Sequence, residues 1–234
     1  MSNYSYDATS RDQGLSRFFA QTYMKMGLGL FISFAVGLFL YKSLPITMLA
    51  ATMNPIVILI AGIVQVILAL SIANKSYSGN ASSAMTMFII YSVLNAITFV
   101  SIFAIFDAML IIQAFAVTGI TFVCMSIYGY TTKRNLSAWG NFLFGSLIGI
   151  IVVSLLNLFL HSSGLGFFVN IFTVIIFAGY MAYDTQFMRN AYYSTNDPAM
   201  LNGLSTFWAL QIYMDIINMF INILQILGIM DDNN

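Results

Sequence analysis

The 234 residues are 60% hydrophobic and only 7% charged, with eight Lys and Arg against eight Asp, no Glu, and a formal net charge of zero. Apolar runs of about twenty residues recur along the whole length, which marks a polytopic all-α membrane protein and leaves no room for a second, soluble domain. Balanced charge, with no basic cluster beyond Lys133 and Arg134, excludes a nucleic-acid footprint. The lone Cys124 excludes an internal disulfide and reads as a small buried hydrophobe.

Residues 1–20 are polar and read as a cytoplasmic amino-terminal segment. The first apolar run starts near residue 21 and has no small-residue cleavage site after it, so it is expected to stay as an anchor. Hydropathy then predicts a membrane domain over 21–230 with seven helices, at about 21–42, 55–74, 82–105, 108–130, 137–160, 166–189 and 202–229. Residues 231–234 form an acidic tail. The breaks carry turn chemistry: Lys42 to Pro45, Gly79 with Asn80, Asp107, Thr131 to Ser137, His161 to Gly166, and Asn196 to Pro198. The connection over 190–201 is expected to be irregular. Arg11, Arg17, Lys25, Lys75, Lys133, Arg134 and Arg189 fall on one side of the membrane and Lys42 on the other. The positive-inside rule then predicts a cytoplasmic amino terminus and an external carboxyl terminus.

Polar residues inside the spans locate the candidate site. In the seventh span Gln211, Asp215, Asn218, Asn222 and Gln225 follow spacings of four, three, four and three, which puts them on one helical face. The sixth places Asn170, Thr173, Tyr180 and Asp184 on one face, and the third contributes Tyr91, Asn95 and Thr98. Amides and hydroxyls can serve as interhelical glue worth about 0.6–2 kcal/mol each. Carboxylates cost more: an ionisable group in hydrocarbon costs about 2.5 to well over 10 kcal/mol, so Asp184 and Asp215 are expected to face an interior and to have a function. Asp184 lies five residues before Arg189. That places it about 7–8 Å from the cytoplasmic end of its helix at about 1.5 Å per residue.

Three segments carry a resemblance to a known family: SIYGYTTKRNLSAWGNFLFGSLIGIIVVSLLNLFL from Ser126 to Leu160, AGYMAYDTQ from Ala178 to Gln186, and IYMDIINMFINILQILG from Ile212 to Gly228. Together they resemble the Bax inhibitor-1, or transmembrane BAX inhibitor motif, family, and the short amino terminus and loops look like a bacterial member of the inner membrane. The resemblance implies a seven-helix bundle with the last helix near its centre. It also implies a pH-sensitive calcium leak controlled by an aspartate pair, carried here onto Asp184 and Asp215. Two carboxyls in a poorly solvated site share a proton and titrate as a pair. Loss of that proton would drive them apart and open a path. Their oxygens suit calcium as a transported or weakly bound ion, though two carboxylates and an amide make a low-affinity site.

One departure concerns the second helix. Relatives often carry an arginine near its cytoplasmic end that pairs with the aspartates; here the run ALSIANKSYSG offers Lys75 as the candidate counter-charge. A lysine cannot make the bidentate fork of arginine, and Lys75 also reads as a snorkelling anchor. Asn135 stands where many relatives have aspartate.

Gly145 and Gly149 form a GxxxG that suggests close packing, expected inside the bundle. His161 has no second ligand nearby, so no zinc site is expected. Three function classes follow: a proton-modulated cation leak; a regulatory protein that restrains a membrane protease or stress response, with the polar amino terminus as its handle; and an intramembrane aspartyl protease. The last is disfavoured because Asp215 sits in YMDI rather than in a Gly-x-Gly-Asp setting. An enzyme is therefore not expected. No Gly-rich phosphate loop is present and no cofactor is expected, so energy coupling would come from an ion gradient.

Overall fold

A computed structural model describes the backbone of residues 2–52 and 54–232, with side chains over 12–231 apart from residues 46, 53 and 55. The described residues form α1 (Ser2–Ser43), α2 (Ile46–Thr52), α3 (Pro55–Tyr77), α4 (Ala81–Ile105), α5 (Ala108–Thr131), α6 (Ser137–Leu160), α7 (Ser163–Ser194) and α8 (Pro198–Asp232). Seven of them, all but α2, are long and apolar enough to cross a membrane. The chain is a polytopic, all-helical membrane protein.

The helix ends follow local chemistry. Asn54 caps α3, its side chain accepting from the Ile56 N–H at 2.9 Å, with Pro55 in the first turn. Asp197 does the same for α8, accepting from the Ala199 N–H at 2.9 Å ahead of Pro198. The turn after α3 uses Gly79 at φ +75°, where a Cβ would be strained. His161 ends α6 in the left-handed region at φ 49°.

Three differences from the sequence reading stand out. The first helix begins well before residue 21, and Leu15, Phe18 and Phe19 are buried, so the chain from Leu15 onward is packed rather than free. The seven residues of α2 form a helix in a stretch read as a connection. Only residues 195–197 separate α7 from α8. A large part of 190–201 is thus helical.

The chain divides into two compact units, Met1–Ile105 with Met188–Tyr213, and Phe106–Phe187 with Met214–Asn234. In the first unit α1 packs on α4, with Phe34 edge-on to Phe103 at 5.2 Å between centroids. Polar contacts fix α1 against α8 at two levels. The Lys25 ammonium shares its three protons among the Asn202 carbonyl, Asn202 Oδ1, Ser205 Oγ and Thr206 Oγ1 at 3.0, 2.9, 2.7 and 2.9 Å. Further along, Ser33 Oγ meets the Tyr213 hydroxyl at 2.7 Å. The Lys25–Ser205 and Ser33–Tyr213 pairs are both 180 residues apart in sequence, so α1 and α8 run parallel in one register. Parallel first and last spans require an odd number of crossings, in accord with seven.

Tyr213, fully buried, is a hub. Its hydroxyl accepts from Asn95 Nδ2 at 2.7 Å, and Asn95 Oδ1 accepts from Gln65 Nε2 at 3.2 Å. With the Tyr213 proton given to Ser33, the Ser33 proton goes to the Ser92 carbonyl at 2.7 Å. The phenol thereby joins α1, α4 and α8 directly, and α3 through Asn95.

In the second unit the close approaches are made by glycines other than the expected pair. A Cβ at Gly129 on α5 would overlap the backbone carbonyl of Ala182 on α7. Gly140 lies against the Tyr183 hydroxyl, 2.7 Å from where its Cβ would be, and Gly179 against Leu143 at 2.9 Å. Phe115 of α5 stacks on Phe220 of α8 at 4.2 Å. By contrast, a Cβ at Gly145 or Gly149 would meet nothing within 4 Å, which corrects the expectation of internal packing at the GxxxG. Phe142, Phe144, Ile148 and Ile151 on the same helix are exposed. Within this chain the described residues place no neighbour against either glycine. Gly129→Ala is therefore expected to destabilise the protein by about 1–3 kcal/mol, because backbone cannot yield as a flexible side chain does. Gly145→Ala should leave thermal unfolding in detergent unchanged; equal effects at the two sites would contradict this packing.

Candidate functional site

The second unit contains both membrane aspartates, Asp184 on α7 and Asp215 on α8. Each is only 4% exposed, and their carboxyls hydrogen-bond to one another. An ionised carboxylate has only acceptors, so this bond requires a proton on one of the two. Asp215 Oδ2 is buried with no hydrogen-bond partner, one acceptor left over inside the unit. Tyr180, one turn before Asp184, is close enough to interact electrostatically with both carboxyls.

The α7 backbone that carries Asp184 is held on either side of it. On the amino-terminal side the Ala182 carbonyl abuts Gly129. At the next residue Thr185 Oγ1 donates to the Met181 carbonyl at 2.7 Å, one turn back on the same helix. Gln186, 3% exposed, uses both ends of its amide on the α5–α6 connection: Oε1 accepts from the Leu136 N–H and Nε2 donates to the Arg134 carbonyl, each at 2.8 Å.

The other expected residues are placed as follows. Lys75 is half-buried in the last turn of α3 and belongs to the first unit, not to the one that contains the pair. On α8 the stripe keeps its spacing, but Asn218 Nδ2 donates to the Met214 carbonyl at 2.8 Å and Asn222 Nδ2 to the Asn218 carbonyl at 2.7 Å. One proton of each amide is thus given to its own helix. Gln211 is half-buried and Gln225 exposed. Among the described residues no cluster of three or more His, Cys, Asp or Glu could hold a metal ion. Calcium takes about six to eight oxygens, so the two carboxyls alone would bind it weakly.

Sequence reasoning passed over Lys25, Ser33, Gln65, Gln186 and Tyr213. Lys25 and Gln65 had a signal, each a strongly polar side chain inside or beside an apolar run. Ser33 and Tyr213 had none, since serine and tyrosine are ordinary in spans.

With this geometry in view, comparison with known proteins is informative. The profile of the family described as "Inhibitor of apoptosis-promoting Bax1" matches residues 15–232. The inner membrane protein YbhL of Escherichia coli K12 is 38% identical over 219 residues, covering 92% of each chain. An uncharacterized membrane protein of Streptococcus pyogenes serotype M1 is 34% identical over 221 residues, covering 94% of this chain and 96% of its own. An uncharacterized protein of Borreliella burgdorferi is 33% identical over 216 residues, covering 91% and 92%. The match runs through α1 to α8 and takes in both aspartates, and the chain belongs to the Bax inhibitor-1 family.

Proposed function

We propose that this protein is a pH-sensitive cation leak of the bacterial inner membrane, with calcium as its cargo and the Asp184–Asp215 pair as its gate. The observation that carries the reading is the buried hydrogen bond between two carboxyls on consecutive membrane helices. A neutral amide would do a structural job without an ionisation penalty, so a carboxyl pair is best explained by use of its proton. With one proton shared, the two oxygens attract and α7 is held to α8. When pH rises and the proton leaves, two like charges face each other and the contact loosens. The exposed oxygens then offer hard ligands to a passing divalent cation. In this reading the amino terminus is cytoplasmic and the carboxyl terminus external.

The test is calcium uptake by liposomes containing the purified protein, measured at pH values on either side of neutrality. Uptake above that of empty vesicles, increasing with pH, is expected for the wild type. The Asp184→Asn, Asp215→Asn double variant should lose the pH dependence, because an amide pair has no proton to give up. Wild-type uptake equal to empty vesicles throughout would end the leak reading and leave a regulatory role toward a membrane protease as the function to pursue.

A further inference from the structure

The α5–α6 connection, residues 132–136, joins two membrane spans and therefore lies at a membrane surface. It carries two adjacent exposed cations, Lys133 and Arg134. Exposed aromatic side chains flank them: Tyr130 is 42% and Trp139 47% exposed. Side chains of this kind favour the headgroup level of a bilayer.

The loop is tightly determined. The Thr132 N–H closes on the Tyr128 carbonyl at 2.9 Å, the Arg134 N–H donates to Thr132 Oγ1 at 3.3 Å, and the Ser137 N–H to Asn135 Oδ1 at 2.9 Å. Leu136 is buried, and the buried Gln186 amide takes one carbonyl and one N–H from the loop. An inert surface connection has no need of a buried glutamine that reads its backbone twice.

Charge in this unit is separated end from end. No acidic residue occurs between Asp107 and Asp184. Asp107 precedes α5 at its opposite end, and Asp231 follows Gly228, which packs on Phe106 at that same end. The unit's remaining described acids are the buried pair, which bond to each other. The two cations are thus offered outward.

We propose that this corner is a site for the headgroup of an anionic phospholipid, with Lys133 and Arg134 binding the phosphate and Gln186 fixing the loop that presents them. Arginine supplies a planar fork for phosphate oxygens and lysine a point charge. The two aromatics sit at the glycerol level beside them. Gln186 lies two residues beyond Asp184 on α7, so an occupied corner bears directly on the helix of the pair.

The test is binding of phosphatidylglycerol and phosphatidylcholine to the purified full-length protein, followed by native mass spectrometry, with inorganic phosphate as competitor. It does not depend on ion flux. Phosphatidylglycerol should be retained in preference to phosphatidylcholine, and Lys133→Gln with Arg134→Gln should weaken it about tenfold or more. Gln186→Leu, which leaves both cations in place, should weaken it several-fold. Gln186→Glu keeps an acceptor for Leu136 and loses the donor to Arg134, and serves if the leucine variant does not fold. Undiminished binding by the double charge variant would overturn the site. Undiminished binding by a folded Gln186 variant would reduce it to unspecific surface charge, and effective competition by inorganic phosphate would overturn the lipid assignment.

Discussion

Tyr213→Ala is expected to destabilise the protein by about 3 kcal/mol or more, through two separable losses. The ring is fully buried and packs edge-on against Phe88 at 5.6 Å and Tyr91 at 5.8 Å, so its removal leaves a cavity that rigid helices cannot close. The hydroxyl is the only link in the described network between Asn95 and Ser33. Tyr213→Phe removes that link alone and should cost about 0.6–2 kcal/mol, the range for polar contacts between membrane helices. The difference between the two variants measures the ring. In lipid, apolar burial between helices brings little transfer free energy, so the ring's share is packing, and it should exceed the share of the hydroxyl. Thermal unfolding in detergent gives both numbers; a phenylalanine variant as unstable as the alanine variant would reverse that ranking.

The second large effect concerns the pair and is non-additive. Asp184→Leu strands the Asp215 carboxyl, which already has one oxygen without a partner, in a site 4% exposed. A buried polar group left unsatisfied costs about 1–3 kcal/mol. Substituting both aspartates by leucine removes the stranded group along with its partner, so the double variant should be no less stable than either single variant. For a chain of this size, each kcal/mol moves the unfolding midpoint by about 2–4 °C. The pH dependence has a definite sign. The hydrogen-bonded pair needs a proton, so its contribution is present while that proton is bound and is lost as pH rises. Wild-type stability should therefore fall toward alkaline pH more steeply than that of the double leucine variant. Additive single effects would mean that the two carboxyls do not act as a unit.

Much of this architecture was legible in the sequence, for physical reasons. Hydrocarbon thickness sets span length, so a hydropathy window finds helices such as α4 and α6 to within a residue or two of their ends. Desolvation cost singles out Asp184 and Asp215 without any knowledge of contacts. What failed were readings that required a neighbour to be known. A GxxxG looks the same whether it faces a helix or lipid, and here Gly145 and Gly149 face open space while Gly129, in no such motif, touches backbone. The α8 stripe predicted a shared face correctly as geometry but not that Asn218 and Asn222 each give an amide proton to their own helix. Leu15, Phe18 and Phe19 already carry helical spacing, but a wide window averages them with the polar residues around them. The seven residues of α2 are too short for any window to resolve.

The parallel register of α1 and α8 also has a consequence in time. The partners of Lys25 and Ser33 are made 180 residues later. At about 5–20 residues per second, the first span waits roughly 10–40 s for them. Ser33 can wait without penalty, because the Gly29 carbonyl on its own helix at 3.0 Å, and then the Ser92 carbonyl on α4 at 2.7 Å, can take its proton. The lysine has a long enough stem to keep its ammonium among headgroups in the interval. The arrival of α8 completes the contacts of Lys25 and Ser33 within the first unit. A nascent chain stopped short of residue 202 would retain its earlier spans in the membrane but lack the Lys25 and Ser33 contacts to α8.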